Sequence, residues 1–323
     1  MLAATMARDL VGSNQAPLSL LVNPAAGRGR GRRQGEQLAA ELQRAGLSFS
    51  LQQSERPGHL RELAARTAGP VVAVGGDGTV HEIVDGLIPR DGRLGPLAIL
   101  ASGRGDDFAA SAGFGPSCKR LVERLAAPSS RLVDVGIAAI DCEHGLLNRR
   151  FANYLGFGFD AEVARAAANT RLLRGKLLYL VATMRALWRQ RLVDCEVTYE
   201  GAGKQSGEAA HENENAPVLF CAACNGSRVG GGLHFAPQAA LDDGLLDVVR
   251  VTSSSRRRTV LLLAKLMRIA HLDDPRVRLE RCTAATMHSM QPMAVALDGE
   301  PVATRARSVR VSIAAERLEL VGW

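Results

Sequence analysis

The stretch Val71-Val-Ala-Val-Gly-Gly-Asp-Gly-Thr-Val-His-Glu-Ile-Val-Asp-Gly-Leu87 sets a glycine cluster holding one acid directly behind a β-branched run. Val71 to Val74 is long enough for a buried strand, and Val80, Ile83, Val84 and Leu87 recur at helical spacing. The unit is strand, tight turn, helix. Gly75, Gly76 and Gly78 permit positive φ and close approach to the backbone, and Thr79 stands where the helix N-cap belongs. Amides at a helix N-terminus attract an anion, so the turn can hold a phosphate with Asp77 beside it. A carboxylate there repels the phosphate unless a bound Mg²⁺ bridges the two. The plainer reading is a sharp turn capped by Asp77, and spacing alone leaves both open.

Outward from this unit the first half of the chain alternates strand and helix patterns. Leu18 to Val22 reads as a strand ending in Asn23-Pro-Ala-Ala-Gly27, followed by a helical run from about Gln34 to Ala45 with Leu38 and Leu42 inward. A strand at Leu97 to Leu100 leads into a second glycine loop, Ser102-Gly-Arg-Gly-Asp-Asp107. A helix at Cys118 to Ala126 and a strand at Leu132 to Gly136 complete the series. This βαβ order implies a parallel sheet with helices on both faces, and loops that converge on the edge where such sheets bind ligands.

After Val135 short strand candidates dominate: Phe151 to Phe157, Val193 to Tyr199, Val218 to Cys224, Leu245 to Val251, Val277 to Cys282, Met293 to Leu297 and Val309 to Ile313. Gly/Asp turns separate many of them and Gly201 to Ala216 is a polar loop, which favours a mostly antiparallel β domain. Two helices interrupt it, Arg174 to Arg189 and Arg257 to Ala270. The first sets Leu177, Leu178, Val181 and Trp188 among Arg174, Lys176, Arg185 and Arg189, a basic amphipathic pattern that suits either core packing or membrane docking.

A chain of 323 residues that is 46% hydrophobic can bury two ordinary cores. Its formal charge of +7 suits an anionic partner, whether nucleotide phosphates, nucleic acid or an acidic membrane surface. Aromatic residues are only 4%, too few for the stacking platforms that grip single strands, so nucleic acid is not expected as a partner. The Arg28, Arg30, Arg32, Arg33 cluster reads as a solvated face, as does Arg256-Arg-Arg258. The N-terminus lacks the apolar run of a signal peptide and no segment reaches the roughly 18 apolar residues of a spanning helix, which points to the cytoplasm. The six cysteines lack the spacing of a disulfide scaffold, and Cys221 and Cys224, within an apolar strand pattern, read as core thiols.

A GxGxxG fingerprint is absent after the first strand, and no GxxxxGK[ST] loop occurs. Late in the chain Ala296-Leu-Asp-Gly-Glu300 holds two acids around a glycine. Strand alternation would point Asp298 and Glu300 to one side, as an acid/base or metal pair requires, although Asp-Gly-Glu also suits a turn.

Asn23-Pro-Ala-Ala-Gly27, Gly75-Gly-Asp-Gly-Thr79 with His81-Glu82 and Gly86, Phe108-Ala109, Asn225-Gly226, Gly230-Gly-Gly232, Pro237, Asp242-Asp-Gly-Leu-Leu-Asp247 and Leu297-Asp-Gly-Glu300 occur in that order. Together they resemble the diacylglycerol kinase catalytic family, which includes sphingosine and ceramide kinases and bacterial lipid kinases. The resemblance spans nearly the whole chain from Leu18 onward. Gly-Gly-Asp-Gly-Thr by itself is shared with NAD kinases and phosphofructokinases, whereas the ordered set is far more specific.

The resemblance implies a nucleotide-binding α/β domain over residues 1–136, completed by a returning C-terminal strand at about 306–323. It further implies an antiparallel β-sandwich lipid-substrate domain over 137–305, and an ATP site in an interdomain cleft. Asn23, Pro24 and Gly27 would line the nucleotide, and Gly75, Gly76, Gly78 and Thr79 would cradle phosphates with Gly103 and Arg104 of the second loop. Asp77 would act through Mg²⁺ or as base, Asp107 would help hold catalytic Mg²⁺, and Asp298 and Glu300 would orient the acceptor hydroxyl and nucleotide. A structural Mg²⁺ would sit at Asp243 and Leu245.

The implied activity is transfer of the γ-phosphate of ATP to a lipid hydroxyl, diacylglycerol or a relative, by a cytoplasmic protein that reaches the inner face of the membrane reversibly; a homodimer is admitted. A kinase of a polyol or dinucleotide and a non-catalytic nucleotide or lipid sensor are the alternatives. One loop departs from the family's usual Pro-x-Gly-Thr-x-Asn-Asp-Phe-Ala, reading Ala101-Ser-Gly-Arg-Gly-Asp-Asp-Phe-Ala109. Arg104 offers phosphate a planar fork of donors, and Asp106 is expected to hold that fork.

Overall fold

The computed structural model describes residues 17–126, 129–159, 161–163, 181, 193–201, 216–252 and 255–322. The chain divides into two compact units, Met1–Val133 with Ala315–Trp323, and Asp134–Ala314. In the first unit β1 (Leu18–Val22), β2 (Phe49–Gln53), β3 (Val71–Gly75), β4 (Arg93–Ala101), β5 (Ser130–Val133) and β16 (Arg317–Val321) form one sheet in the order β2-β1-β3-β4-β16-β5. All its pairings are parallel except β16 with β5. Val71 to Val74 are fully buried, as a strand covered on both faces requires, and this is why the run is uninterrupted by polar residues.

The helices of this unit are α1 (Ala26–Arg44), α2 (His59–Arg66), α3 (Asp77–Gly86), α4 (Asp107–Ser111) and α5 (Cys118–Leu125). α1 packs with α5, and α2 with α3. Two motif residues explain the second pair. The Glu82 carboxylate accepts the Gly58 and Leu60 amides at 2.9 and 3.1 Å, satisfying the α2 N-terminus, and Gly86 lies where a Cβ would collide with the Arg61 carbonyl. β2 and α2 are absent from the sequence reading. Phe49–Gln53 is a half-exposed edge strand, and α2 has only eight residues.

The second unit holds β6 (Gly136–Cys142), β7 (Gly145–Phe151), β8 (Tyr154–Gly158), β9 (Val193–Glu200), β10 (Ala216–Val218), β11 (Phe220–Cys224), β12 (Leu246–Val251), β13 (Val277–Cys282), β14 (Ala284–Leu297) and β15 (Glu300–Ile313), all antiparallel. β14 is the branch point: beside β15, its first half pairs with β9 and its second half with β8. The two wings face each other across one core, in which Cys195 of β9 and Cys221 of β11 are both fully buried although those strands are not paired. Phe151, Phe157, Leu246, Met287 and Val309 fill the space between them. Cys221 and Cys224 are both fully buried on β11. Across the other face of β11 and β12 lies α6 (Arg256–Met267), capped by the Ser255 hydroxyl.

Several expected boundaries shift, among them the strand expected over Leu132 to Gly136, which breaks after Val133, and that over Val218 to Cys224, which breaks at Leu219. Residues 306–313 belong to the second unit, because β15 runs unbroken from Glu300 and hydrogen-bonds to β14 and β6. The strand expected over Phe151 to Phe157 breaks at Ala152-Asn153, where Phe151 ends β7 and Tyr154 begins β8. The β6–β7 hairpin is a further element that the sequence reading lacks. The basic helix expected over Arg174 to Arg189 and the polar loop from Gly201 to Ala216 lie outside the described residues apart from Val181, Gly201 and Ala216. Among the described residues no helix is long and apolar enough to cross a membrane.

Candidate functional site

From β1 the chain steps to β2 on one side and then to β3 on the other, so the strand order reverses between β1 and β3. Open α/β sheets bind ligands at the carboxyl ends of such strands. The loops that emerge there carry the glycine motifs.

After β1, the Asn23 carboxamide oxygen accepts the Ala25 amide at 3.0 Å while its nitrogen donates to Thr79 Oγ1 at 3.2 Å, tying the first loop to the β3–α3 turn. Pro24 lies in the turn that follows Asn23. Gly27, Arg28 and Gly29 adopt left-handed φ of 55, 63 and 84°, which interrupts the helical path of α1 at its start. A Cβ on Gly27 would collide with the Ser102 carbonyl of the β4–α4 loop.

The glycines of the β3–α3 turn serve space rather than positive φ. Gly76 is the N-cap with extended backbone, φ −105°, and neither Gly75 nor Gly78 has positive φ. A Cβ on Gly75 would strike the Thr79 hydroxyl, and one on Gly76 would lie 2.7 Å from the Gly103 Cα. Two loops thus meet glycine to glycine. The helix begins at Asp77, two residues before the expected cap, so Thr79 is in its first turn and its buried hydroxyl receives Asn23 instead. Asp77 at the first helical position complements the helix dipole, and its Oδ1 accepts the Phe108 amide at 3.2 Å.

In the β4–α4 loop the Ser102 hydroxyl donates to Gln34 Oε1, and the Gly103 amide donates to Asp106 Oδ1 at 2.7 Å. The guanidinium facing Asp106 belongs to Arg30, not to Arg104. Arg30 donates to the Ser102 and Gly103 carbonyls and lies 3.7 Å from Asp106 Oδ2. The geometric reason is the left-handed Gly27–Gly29 turn, which directs Arg30 onto the loop rather than into solvent. Burial pushes the Asp106 carboxyl above its ordinary value, and the Gly103 amide and Arg30 pull it back. Arg104 is half-buried in the same loop, and Asp107 is buried at the start of α4. The Arg30 role escaped the sequence reading, although the run Gly27-Arg-Gly-Arg-Gly31 directly after Asn23-Pro24 carried the signal.

Asp77 and Asp107 offer hard carboxylate oxygens beside a glycine cradle, a donor set that suits Mg²⁺. Among the described residues no cluster of three or more His, Cys, Asp or Glu could hold a metal by itself. Mg²⁺ on a nucleotide needs only one or two carboxylates, with phosphate oxygens supplying the rest.

In the second unit Leu297 pairs with Glu300, and Asp298 (φ 50°) and Gly299 (φ 85°) form the two-residue corner of the β14–β15 hairpin. Strand alternation therefore does not apply to Asp298 and Glu300. The buried Asp298 carboxylate accepts three amides, Ala152 at 2.9, Asn153 at 2.7 and Tyr154 at 3.0 Å, while Glu300 is exposed. Asn225 holds the same loop from the other side, donating to the Ala152 and Asp134 carbonyls at 2.7 and 2.9 Å.

The turn expected to hold structural Mg²⁺ has its own cation. Arg281 donates to Asp243 Oδ2 and lies 3.6 Å from Asp247 Oδ1, on β13 directly opposite Asp247. The Leu245 amide donates to Asp243 Oδ1 at 3.1 Å. A guanidinium on the Asp243 carboxylate does not fit a dication there, and no role is routed through one.

Under α6 lies a partly open apolar cavity of about 80 Å³, lined by Tyr154, Phe159, Leu219, Phe235, Val251 and Leu262 among others. Gly230, one of three successive left-handed glycines, borders it. Thr259 and His271 are polar groups in its wall. His271 Nε2 bonds the Phe235 carbonyl at 2.8 Å, and burial holds its pKa below the ordinary value. The cavity has no local sequence signature because separate strands, loops and one helix each contribute part of it.

The family model of the diacylglycerol kinase catalytic domain matches residues 17–138, and that of the YegS C-terminal NAD kinase beta sandwich-like domain matches 153–321. A diacylglycerol kinase of Bacillus subtilis (strain 168) is 25% identical over 287 residues, 87% of this chain and 88% of that protein. A probable lipid kinase YegS-like protein of Chromohalobacter salexigens is 31% identical over 246 residues, 75% of this chain and 72% of its own. Among solved structures, a putative diacylglycerol kinase from Bacillus anthracis str. Sterne superposes with TM-score 0.70 at 18% identity, covering 95% of this chain and 98% of that one. The fold is therefore shared with that protein.

Proposed function

The chain belongs to the diacylglycerol kinase and YegS-like lipid kinase family, and from that premise we propose that it transfers the γ-phosphate of ATP to a hydroxyl of diacylglycerol or a closely related lipid. The observation that carries a lipid acceptor over a polyol or dinucleotide is the cavity beneath α6, whose wall is apolar apart from a few groups such as Thr259 and His271.

In this reading the meeting of Gly76 with Gly103 leaves backbone where side chains would otherwise stand, so phosphates can approach the amides. Asn23 and Thr79 fix the relation of two loops, and Arg104 supplies a cation to the phosphates. Phosphoryl transfer depends on positioning and charge stabilisation more than covalent chemistry. Asp77 takes the proton of the attacking hydroxyl, and Asp107 is the residue to hold Mg²⁺, which when bound neutralises charge on the phosphates. Asp298 acts within its own unit, by shaping the Ala152–Tyr154 loop.

The test is transfer from radiolabelled ATP to detergent-dispersed lipids set against glycerol, sugars and NAD. Label in a lipid product is expected. Label confined to water-soluble products overturns the lipid reading, and bound ATP with no transfer to either class overturns the catalytic one.

A further inference from the structure

A helix packed on a protein core presents an apolar stripe inward and polar residues outward, and one that is apolar all round needs a second apolar neighbour. From Val260 to Met267, Lys265 apart, α6 is of the second kind. Its inner face puts Leu262, Leu263 and Leu266 on the cavity. Its outer face leaves Val260, Leu261 and Met267 at 41, 61 and 47% exposure, and Ile269, just past its end, at 51%. Ile269 also has a left-handed φ of 58°, rare for a β-branched side chain.

Charge decides what covers this face. Arg257 and Arg268 are exposed at its two ends, joined through Leu261 and Ala264 at helical spacing, and no acid occurs from Ser255 to Leu272. Lys265 is turned away, bonded to Asp274 at 2.7 Å. A second copy laid face to face would set these arginines against their own kind on a chain of net charge +7. An anionic lipid interface instead takes the apolar stripe into the acyl boundary while the long arginine side chains reach back to headgroups.

We propose that the outer face of α6 is the surface by which the chain docks on an anionic phospholipid bilayer, seating the lipid cavity against the membrane. The idea rests on the lipid-acceptor reading for its purpose, but its evidence is the exposed apolar stripe and its basic ends.

The test is cosedimentation with vesicles of phosphatidylcholine containing about a third phosphatidylglycerol, against pure phosphatidylcholine, with transfer to detergent-dispersed diacylglycerol read in parallel. Wild type is expected to favour the anionic vesicles. Arg257→Gln with Arg268→Gln is expected to weaken binding roughly twentyfold, each basic side chain near such a surface being worth about fivefold. Leu261→Asp with Met267→Asp is expected to abolish binding with unchanged circular dichroism. Variants that sediment like wild type, equal wild-type binding to both vesicles, or a wild-type dimer broken by these changes would each overturn docking. Transfer with failed docking leaves the kinase reading standing, and docking without transfer leaves the surface standing alone.

Discussion

Asp77 heads α3 with its carboxylate tied to the Phe108 amide, so Asp77→Asn keeps the size and the hydrogen-bond acceptor while removing the charge. Turnover is expected to fall by about 3 kcal/mol in barrier, roughly a hundredfold, with the thermal midpoint little changed. Near-normal kcat would remove Asp77 from the chemistry. The Arg30–Asp106 pair makes a second residue-level prediction. Arg30→Gln leaves the Asp106 carboxylate without its nearest cation, beside the loop assigned to phosphate. ATP binding measured by calorimetry should weaken about fivefold, the ~1 kcal/mol of a half-exposed ion pair, and Asp106→Asn on top should restore most of it. Additive losses would show that the two side chains act separately.

At the scale of elements, α6 is fastened to β13 through Asp274, a buried carboxylate that accepts from Arg276 Nε at 2.6 Å and from Lys265 Nζ at 2.7 Å. Arg276 first, and then Lys265, hold its pKa below the ordinary carboxylate value. The unfolded chain binds that proton at about pH 4, earlier than the folded one, so the stabilisation is complete above pH 4 and is lost as pH falls through the folded value. Asp274→Asn should cost on the order of 2 kcal/mol at pH 7 by urea titration, with the gap to wild type closing below pH 4. A gap that stays constant with pH would assign the loss to packing. The β12–β13 pair gives a metal prediction. With Arg281 on Asp243 and Asp247, neither EDTA nor millimolar Mg²⁺ should move the wild-type melting temperature. Arg281→Met leaves Asp247 buried, its pKa already pushed up by burial to about 6, and should lower stability by roughly 1–3 kcal/mol, part of it recovered by Mg²⁺. A wild-type midpoint that falls in EDTA would refute the internal-cation assignment.

What the sequence disclosed divides along the same line. β3 and α3 were legible because burial on both faces of a strand and one face of a helix writes directly into residue order. The branch at β14 was not, because its partners β8, β9 and β15 are chosen by long-range pairing, and β15 reads Arg-Ala-Arg-Ser-Val-Arg along its middle without an apolar run. Of the two reasons the sequence offers for the glycines of the β3–α3 turn, close approach holds and positive φ does not, and the identity of the approaching loop is something no local pattern displays.

On the scale of the whole molecule, the basic balance, the nucleotide motifs and the apolar cavity are divided between units that the chain visits out of order. The first unit's sheet is interrupted at Val133 and regains β16 only from Arg317, after all of Asp134–Ala314 has intervened. Until then β4 and β5 lack the strand that lies between them, and unpaired strand edges invite aggregation. Removing residues 315–323 should therefore collapse the nucleotide-motif unit, seen as loss of protease resistance over residues 17–133, while the contiguous unit 134–314 keeps its own. Survival of both would show β16 to be dispensable. During synthesis the same arrangement inverts the usual N-to-C order of maturation: the α/β unit made first must wait for its own completion, so a chain terminated a few codons short of Arg317 leaves the ribosome with a first unit that cannot close.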